Sequence, residues 1–195
     1  NQNLNKIYGG EITGNKMQRV TLPKGGKQGG LLGLASIMMA TANGVDTHPV
    51  HRGVWLLENV LGQPTPPPPA DVPSVAPDTS GTITMREKML AHQADASCAR
   101  CHTKIDPLGF VMEHYDPVGR WREYYPVYTE LASAPLKEEF YASQGEGTQK
   151  GRHIDTMAVM PDGTVLKDVT DLKAYLVTNI DLFVECLAEK LLIYG

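Results

Sequence analysis

The sequence predicts a mainly α-helical protein. Apolar residues recur at helical spacing over the last part of the chain, and a capping box starts another helical pattern near its middle. No alternating run of apolar and polar residues is long enough to indicate a sheet. The 195 residues suffice for one domain of ordinary size or for two small domains that share an interface.

The composition excludes several classes of protein. Hydrophobic residues make up 42% of the chain and charged residues 21%, as in globular proteins. The formal net charge of −4 argues against nucleic-acid binding. The most apolar stretch, residues 29–42, is shorter than the roughly 20 residues that a membrane-spanning helix needs. We therefore expect protein or small-molecule partners and no membrane span.

A proline-rich segment divides the chain. Seven of the 14 prolines lie between Pro64 and Pro77, where fixed φ angles and missing N–H groups disfavour both helix and central strand. We predict an extended polyproline strap over 64–81. It would separate an N-terminal helical segment, 1–63, from a C-terminal domain, 82–195. The N-terminal segment would be a cap or the remnant of an upstream module. A polar stretch over 133–153 is predicted to be a loop.

Four helical regions are predicted. The small apolar residues of 31–41 are typical of a buried helix, and 51–61 carries apolar residues at helical spacing before Gly62. Thr84 and Glu87 form a capping box, which predicts a helix over about 84–93. At the C-terminus, Asp168 is a plausible N-cap, and a break is expected near Asn179. The apolar stripe that follows Asp168 comprises Leu172, Leu176, Ile180, Phe183, Leu187, Leu191 and Tyr194.

The sequence Cys98-Ala99-Arg100-Cys101-His102 is a C-x-x-C-H motif, typical of c-type haem attachment. On a helical turn, Cys98 and His102 are i, i+4 neighbours and Cys101 lies between them. Two thiols can therefore anchor the edge of a flat ring while the imidazole ligates its iron. The motif predicts one covalently bound haem c, with Cys98 and Cys101 as anchors and His102 as the proximal ligand.

Three other interpretations of the motif remain open. A disulfide between Cys98 and Cys101 would leave His102 unexplained, and a thioredoxin-like redox pair needs a preceding strand. A zinc site needs more ligands. The loose candidates for these are Cys186, His92, His114 and His153, although Cys186 is more simply a small buried hydrophobe.

Residues 52–73, 92–125 and 181–195 resemble, in the same order, the C-terminal cytochrome-like modules of large secreted planctomycete proteins. The resemblance implies an exported, multi-domain protein with a covalently bound haem. Together with the helix pattern, it favours a small cytochrome c-like helical haem domain over 82–195, in which the helix from Thr84 leads into the motif and a C-terminal helix crosses that first helix. One departure stands out, because this chain has His48 where relatives have serine in Thr-Ser-Pro-Val.

The sixth iron ligand decides the mechanism, because methionine raises the haem potential, histidine lowers it, and an open position admits small molecules. Met160 is the first choice: it lies 58 residues after His102 and precedes a proline. Met157 is close by in the sequence. Histidine alternatives are His48, His51, His92, His114 and His153.

The other ring nitrogen of His102 needs a partner that fixes its tautomer. We predict that a backbone carbonyl of Pro107 or Pro117 accepts its N–H. The carboxylates that follow the motif are expected to be solvated or to pair with arginines or haem propionates. They are Asp106, Glu113 and Asp116.

The predicted function is electron transfer through one haem c, in a module of a larger exported redox protein. Its partner would be a redox protein or an adjacent domain of the same polypeptide. Haem attachment outside the cytoplasm predicts a periplasmic or extracellular location, with the export signal either removed or carried on an upstream part. The first alternative is a haem enzyme or a gas or peroxide sensor with an open distal site. The second is a structural module with a vestigial haem.

Overall fold

The computed structural model describes residues 2–22, 26–44, 46–67, 83–93, 96–126 and 150–194. These residues are mainly helical, as predicted. Most of the predicted strap, 68–81, and most of the predicted loop, 133–149, lie outside the described residues. The division into 1–63, 64–81 and 82–195 therefore stays a prediction.

Short helices lead into the N-terminal part. A 3₁₀ turn over Gln2–Leu4 precedes α1, Asn5–Tyr8, and another 3₁₀ turn over Leu31–Gly33 precedes α2, Ala35–Ala40. The single helix predicted over 31–41 is thus interrupted. The cause is Leu34, whose extended backbone separates the turn from the helix.

The next helix, α3, spans Pro49–Asn59. It begins two residues before the predicted start. His48 caps it, because its ring Nδ1 accepts the N–H of His51 at 3.3 Å. Pro49 occupies the first helical position, where a missing N–H costs nothing.

The middle of the chain contains α4, Met85–His92, and α5, Ala96–Phe110. The predicted capping box is confirmed: the Thr84 N–H donates to the Glu87 carboxylate at 2.8 Å, and the Glu87 N–H donates to Thr84 Oγ1 at 3.2 Å. The C-x-x-C-H motif lies in the first half of α5.

Short strands follow, and they correct the expectation that the chain has no sheet. β1, Tyr124–Pro126, pairs with β2, Lys150–His153, and β3, Ala158–Val159, pairs with β4, Val165–Leu166, both antiparallel. Gly163, with φ of +86°, makes the tight turn between β3 and β4. Each strand is too short to produce the alternation that would reveal it in the sequence.

The C-terminal stripe forms two consecutive helices, α6, Val169–Thr178, and α7, Ile180–Tyr194, which confirms the predicted break. Asp168 caps α6 by accepting the N–H groups of Thr170 and Asp171. Only the first part of the stripe is buried, because Leu191 is 64% exposed and Tyr194 90% exposed.

No helix among the described residues is both long and apolar enough to span a bilayer.

One hydrophobic core joins the two sides of the strap. It contains Leu56 of α3, Leu108 of α5, Leu166 of β4 and Leu172 of α6. Among the described elements, α3 makes the most extensive contact with α5. The main packing partner of the motif helix therefore comes from before the strap.

A buried ionic network fastens α3 to the chain that follows α5. Arg52 donates to the backbone oxygens of Met112 and Tyr115, each at 2.9 Å, and lies 3.5 Å from the Glu113 carboxylate. Thr47 donates to the other oxygen of Glu113 at 2.9 Å. Burial raises the pKa of Glu113, although Arg52 and Arg122 oppose the shift. The network holds the chain at the C-terminal end of α5 in place against α3.

Candidate functional site

The three motif residues lie on successive positions of one helical surface. Cys98 is the third residue of α5, and Cys101 and His102 follow by three and four positions. Residues at these spacings share a helix face. Both thiols are half-buried, and neither is part of a disulfide.

The surroundings of the motif bear on the other interpretations. The element before it is α4, a helix, whereas a thioredoxin-like site would follow a strand. Cys186 is buried, and its Sγ lies 3.6 Å from the backbone oxygen of Glu58 on α3. Within the described part of the chain, no group of three or more His, Cys, Asp or Glu side chains is placed to hold a metal ion.

His102 is held by a buried carboxylate. Its Nδ1 lies 2.9 Å from Oδ1 of Asp106, one helical turn further along α5. Asp106 is only 2% exposed. The hydrogen bond to Asp106 raises the pKa of His102, and burial opposes that shift.

This pairing corrects the predicted partner of His102. The carbonyl of Pro107 accepts the helical N–H of Val111 at 3.4 Å, as expected inside a helix, while Nδ1 of His102 faces Asp106. The reason is geometric, because a side chain at i+4 on the same helix reaches the imidazole directly. The sequence carried this signal in the spacing of four residues.

The other carboxylates behave as expected from the sequence. Glu113 pairs with Arg52, and Asp116 accepts Nε of Arg120 at 2.6 Å. Asp106 differs from both, because its described partners are His102 and Gln93. Gln93 donates Nε2 to the second oxygen of Asp106 at 2.5 Å.

A stacked histidine pair lies near this site. The rings of His48 and His51 are 3.7 Å apart and nearly parallel. Burial, followed by repulsion from His51, lowers the pKa of His48 to about 4, and the charge of Asp106 acts in the opposite direction. His48 is therefore neutral at pH 7, and its Nδ1 is engaged in capping α3.

The two candidate methionines have different environments. Along 154–160 burial alternates, so that Ile154, Thr156, Ala158 and Met160 point inward. Met160 is 6% exposed and belongs to the main core, against which Cys101 packs. Met157 is 57% exposed.

The remaining histidine candidates are placed as follows. His114 bonds through Nδ1 to the backbone oxygen of Arg122 at 2.7 Å and stacks on Trp121. His51 and His153 are exposed. The side chain of His92 lies outside the described residues.

The donor set of α5 fits a covalently attached haem. Two thiols at i and i+3 share a surface with an imidazole whose Nδ1 faces a carboxylate. A proton on Nδ1 leaves the lone pair on Nε2, the nitrogen that would ligate iron. Cys98, Cys101 and His102 would hold the group, and Asp106 would orient the ligand. Sequence reasoning missed only Asp106 among these residues.

Comparison with known families places a helical, motif-bearing part of the chain in a family described only by its model. The model of a family described as PSCyt3, protein of unknown function (DUF1588), matches residues 28–125. The matched region is half of the chain and contains α2, α3 and the motif-bearing α5. Neither a curated protein nor a solved structure matches the chain.

Proposed function

We propose that this chain, which belongs to the PSCyt3 family, a planctomycete cytochrome-associated domain family, carries one covalently bound haem c and transfers electrons through it. One observation carries the proposal: two half-buried thiols and an imidazole share a surface of α5, and the imidazole is oriented by Asp106. Haem, when bound, accepts and releases one electron at its iron.

The thiols of Cys98 and Cys101 would each add S–H across one vinyl double bond of the ring. Each addition forms one C–S bond and places the hydrogen on the neighbouring carbon, so no oxidant is required. The thiols must be reduced when they react, and haem must be supplied outside the cytoplasm. This requirement supports a periplasmic or extracellular location.

Met160 is the proposed sixth ligand. Its thioether is buried in the core against which Cys101 packs, and β3, which ends directly before it, contacts α5. The exposed side chain of Met157 and the capping role of His48 make both weaker candidates. A soft sulfur ligand favours ferrous iron, which suits a carrier that accepts electrons from a protein partner or an adjacent domain.

The optical spectrum of the reduced, haem-loaded protein tests this function. Electron transfer through a six-coordinate haem predicts a low-spin spectrum that carbon monoxide leaves unchanged. Replacement of the proximal ligand in His102→Ala should abolish that spectrum. Rapid binding of carbon monoxide by the wild type would instead favour the enzyme or sensor, in which the distal position is open.

A further inference from the structure

We propose that Asp106 is a positioning residue for the haem histidine, and that its buried carboxylate stabilises oxidised iron and so lowers the redox potential of the site. This inference rests on the proposed function, because it concerns the haem that His102 would ligate. It adds a determinant of the potential that the motif itself does not contain.

The contact between Asp106 and His102 is built into one helix. Both side chains project from the same face of α5, one turn apart, with 2.9 Å between Nδ1 and Oδ1. The distance is therefore set by helix geometry and needs no long-range packing. Asp106 is 2% exposed, so water competes little for its carboxylate.

Gln93 holds the other carboxylate oxygen. Its Nε2 donates to Oδ2 of Asp106 at 2.5 Å, from the C-cap position that follows α4. With one oxygen on His102 and the other on Gln93, the carboxylate cannot rotate without losing a hydrogen bond. The side chains of Gln93, Asp106 and His102 form a chain of contacts that fixes the plane of the imidazole.

The charge of Asp106 is the reason for expecting an effect on the potential. A buried carboxylate is costly unless a positive charge compensates it. With Nε2 on iron, His102 would be a neutral imidazole, and Gln93 is an uncharged amide, so neither hydrogen-bond partner would then carry a positive charge. The charge of Asp106 also acts on His48. His48 supplies no compensating charge at pH 7, because burial lowers its pKa to about 4.

Oxidised iron would supply that missing charge. Ferric haem carries one more positive charge than ferrous haem, so a nearby carboxylate stabilises the ferric state. The hydrogen bond acts in the same direction, because a carboxylate that accepts from Nδ1 raises the basicity of Nε2 as a ligand. Both effects oppose the rise in potential that the Met160 thioether would cause.

Redox titration of the haem-loaded protein tests the inference with three variants. Asp106→Asn keeps the shape and removes the charge, so its midpoint potential should rise. Gln93→Leu removes a hydrogen-bond donor that draws negative charge away from the side of the Asp106 carboxylate facing His102. The carboxylate then acts more strongly on His102 and the iron, so the midpoint potential should fall. Asp116→Asn is the matched control, because Asp116 is equally buried but pairs with Arg120. Its potential should equal that of the wild type.

A second readout follows the hydrogen bond itself. In the reduced, diamagnetic protein, the Nδ1 proton of His102 should resonate far downfield in nitrogen-edited NMR spectra, and it should move upfield in Asp106→Asn. If Asp106→Asn does not fold, the sign of the Gln93→Leu shift decides. A wild-type potential in Asp106→Asn and in Gln93→Leu, or in whichever of these two folds, would overturn the inference and leave haem attachment intact. A wild type that attaches no haem would overturn the proposed function and, with it, this inference.

Discussion

Gly53 of α3 lies directly against Ile105 of α5, with no space for a side chain between them. A Cβ atom built at residue 53 would lie 2.9 Å from Cγ2 of Ile105 and still closer to its backbone oxygen. Gly109 repeats this relationship from the other helix, where a Cβ would lie 2.9 Å from Cα of Pro49. Two glycines, one on each helix, therefore permit the close crossing of α3 and α5.

The close contact between α3 and α5 predicts that even glycine-to-alanine substitutions in it destabilise the protein. Gly53→Ala and Gly109→Ala should each lower the free energy of unfolding by about 1–3 kcal/mol, because the methyl group overlaps backbone atoms that cannot rotate away. Urea unfolding measures the change. Gly33→Ala is the control, since a Cβ there makes only ordinary contacts, the nearest at 3.6 Å. Equal stability of all three variants would show that the helices do not cross as described.

His48 predicts a dependence of stability on pH. Its pKa is about 4 in the folded protein and 6.5 in its unperturbed state, so the unfolded chain binds the proton first as pH falls. The contribution of His48 is complete above pH 6.5 and is lost as pH falls from 6.5 to about 4. His48→Ser keeps a good N-cap for α3 and should remove this part of the acid sensitivity.

The cause of the His48 shift can be checked separately. His51→Ala removes a neighbour that lowers the pKa of His48, and so should reduce the acid sensitivity without abolishing it. The measurement compares unfolding free energies at pH 7 and pH 5 for the wild type and both variants. A wild-type pH dependence in His48→Ser would assign the sensitivity to other groups. A changed haem spectrum in that variant would make His48 an iron ligand.

Substitution of Met160 can separate the effect of its sulfur on the haem from the effect of its volume on packing. Met160→Leu conserves volume, so it should cost less than about 1.5 kcal/mol of stability. It should nevertheless abolish the weak far-red charge-transfer band of the oxidised methionine-ligated haem and admit carbon monoxide to the reduced iron. Met157→Leu is the matched control and should leave both properties unchanged. If the band survives in Met160→Leu and disappears in Met157→Leu, the assignment of the two methionines is reversed.

Local signals in the sequence predicted local structure well. Thr84 with Glu87, and Asp168 before the C-terminal stripe, are caps whose side chains bond to backbone N–H groups only a few residues away. Their geometry depends on no distant residue. The start of α3 was missed because His48 acts as its N-cap, a role that serine, threonine, asparagine and aspartate usually fill.

Structure that depends on distant residues was harder to predict. The alternation of burial over 154–160 was hidden because Met157 and Val159 are apolar although they point to solvent. Helices α3 and α5 pack together although the strap separates them in the sequence. The glycines at 53 and 109 are the only sign of this packing that the sequence carries. Asp106 was visible at the right spacing from His102, but spacing alone does not distinguish a buried carboxylate from one that pairs with an arginine.

Extraction of the haem-loaded protein with acidified acetone tests the central claim most directly. Thioether bonds to Cys98 and Cys101 predict that the pigment stays with the polypeptide and that its mass exceeds that of the bare chain by one haem. Cys98→Ala and Cys101→Ala should be poorly matured, whereas Cys186→Ala, which alters a buried thiol against α3, should retain the full complement. Pigment that passes from the wild type into the acetone would contradict covalent attachment.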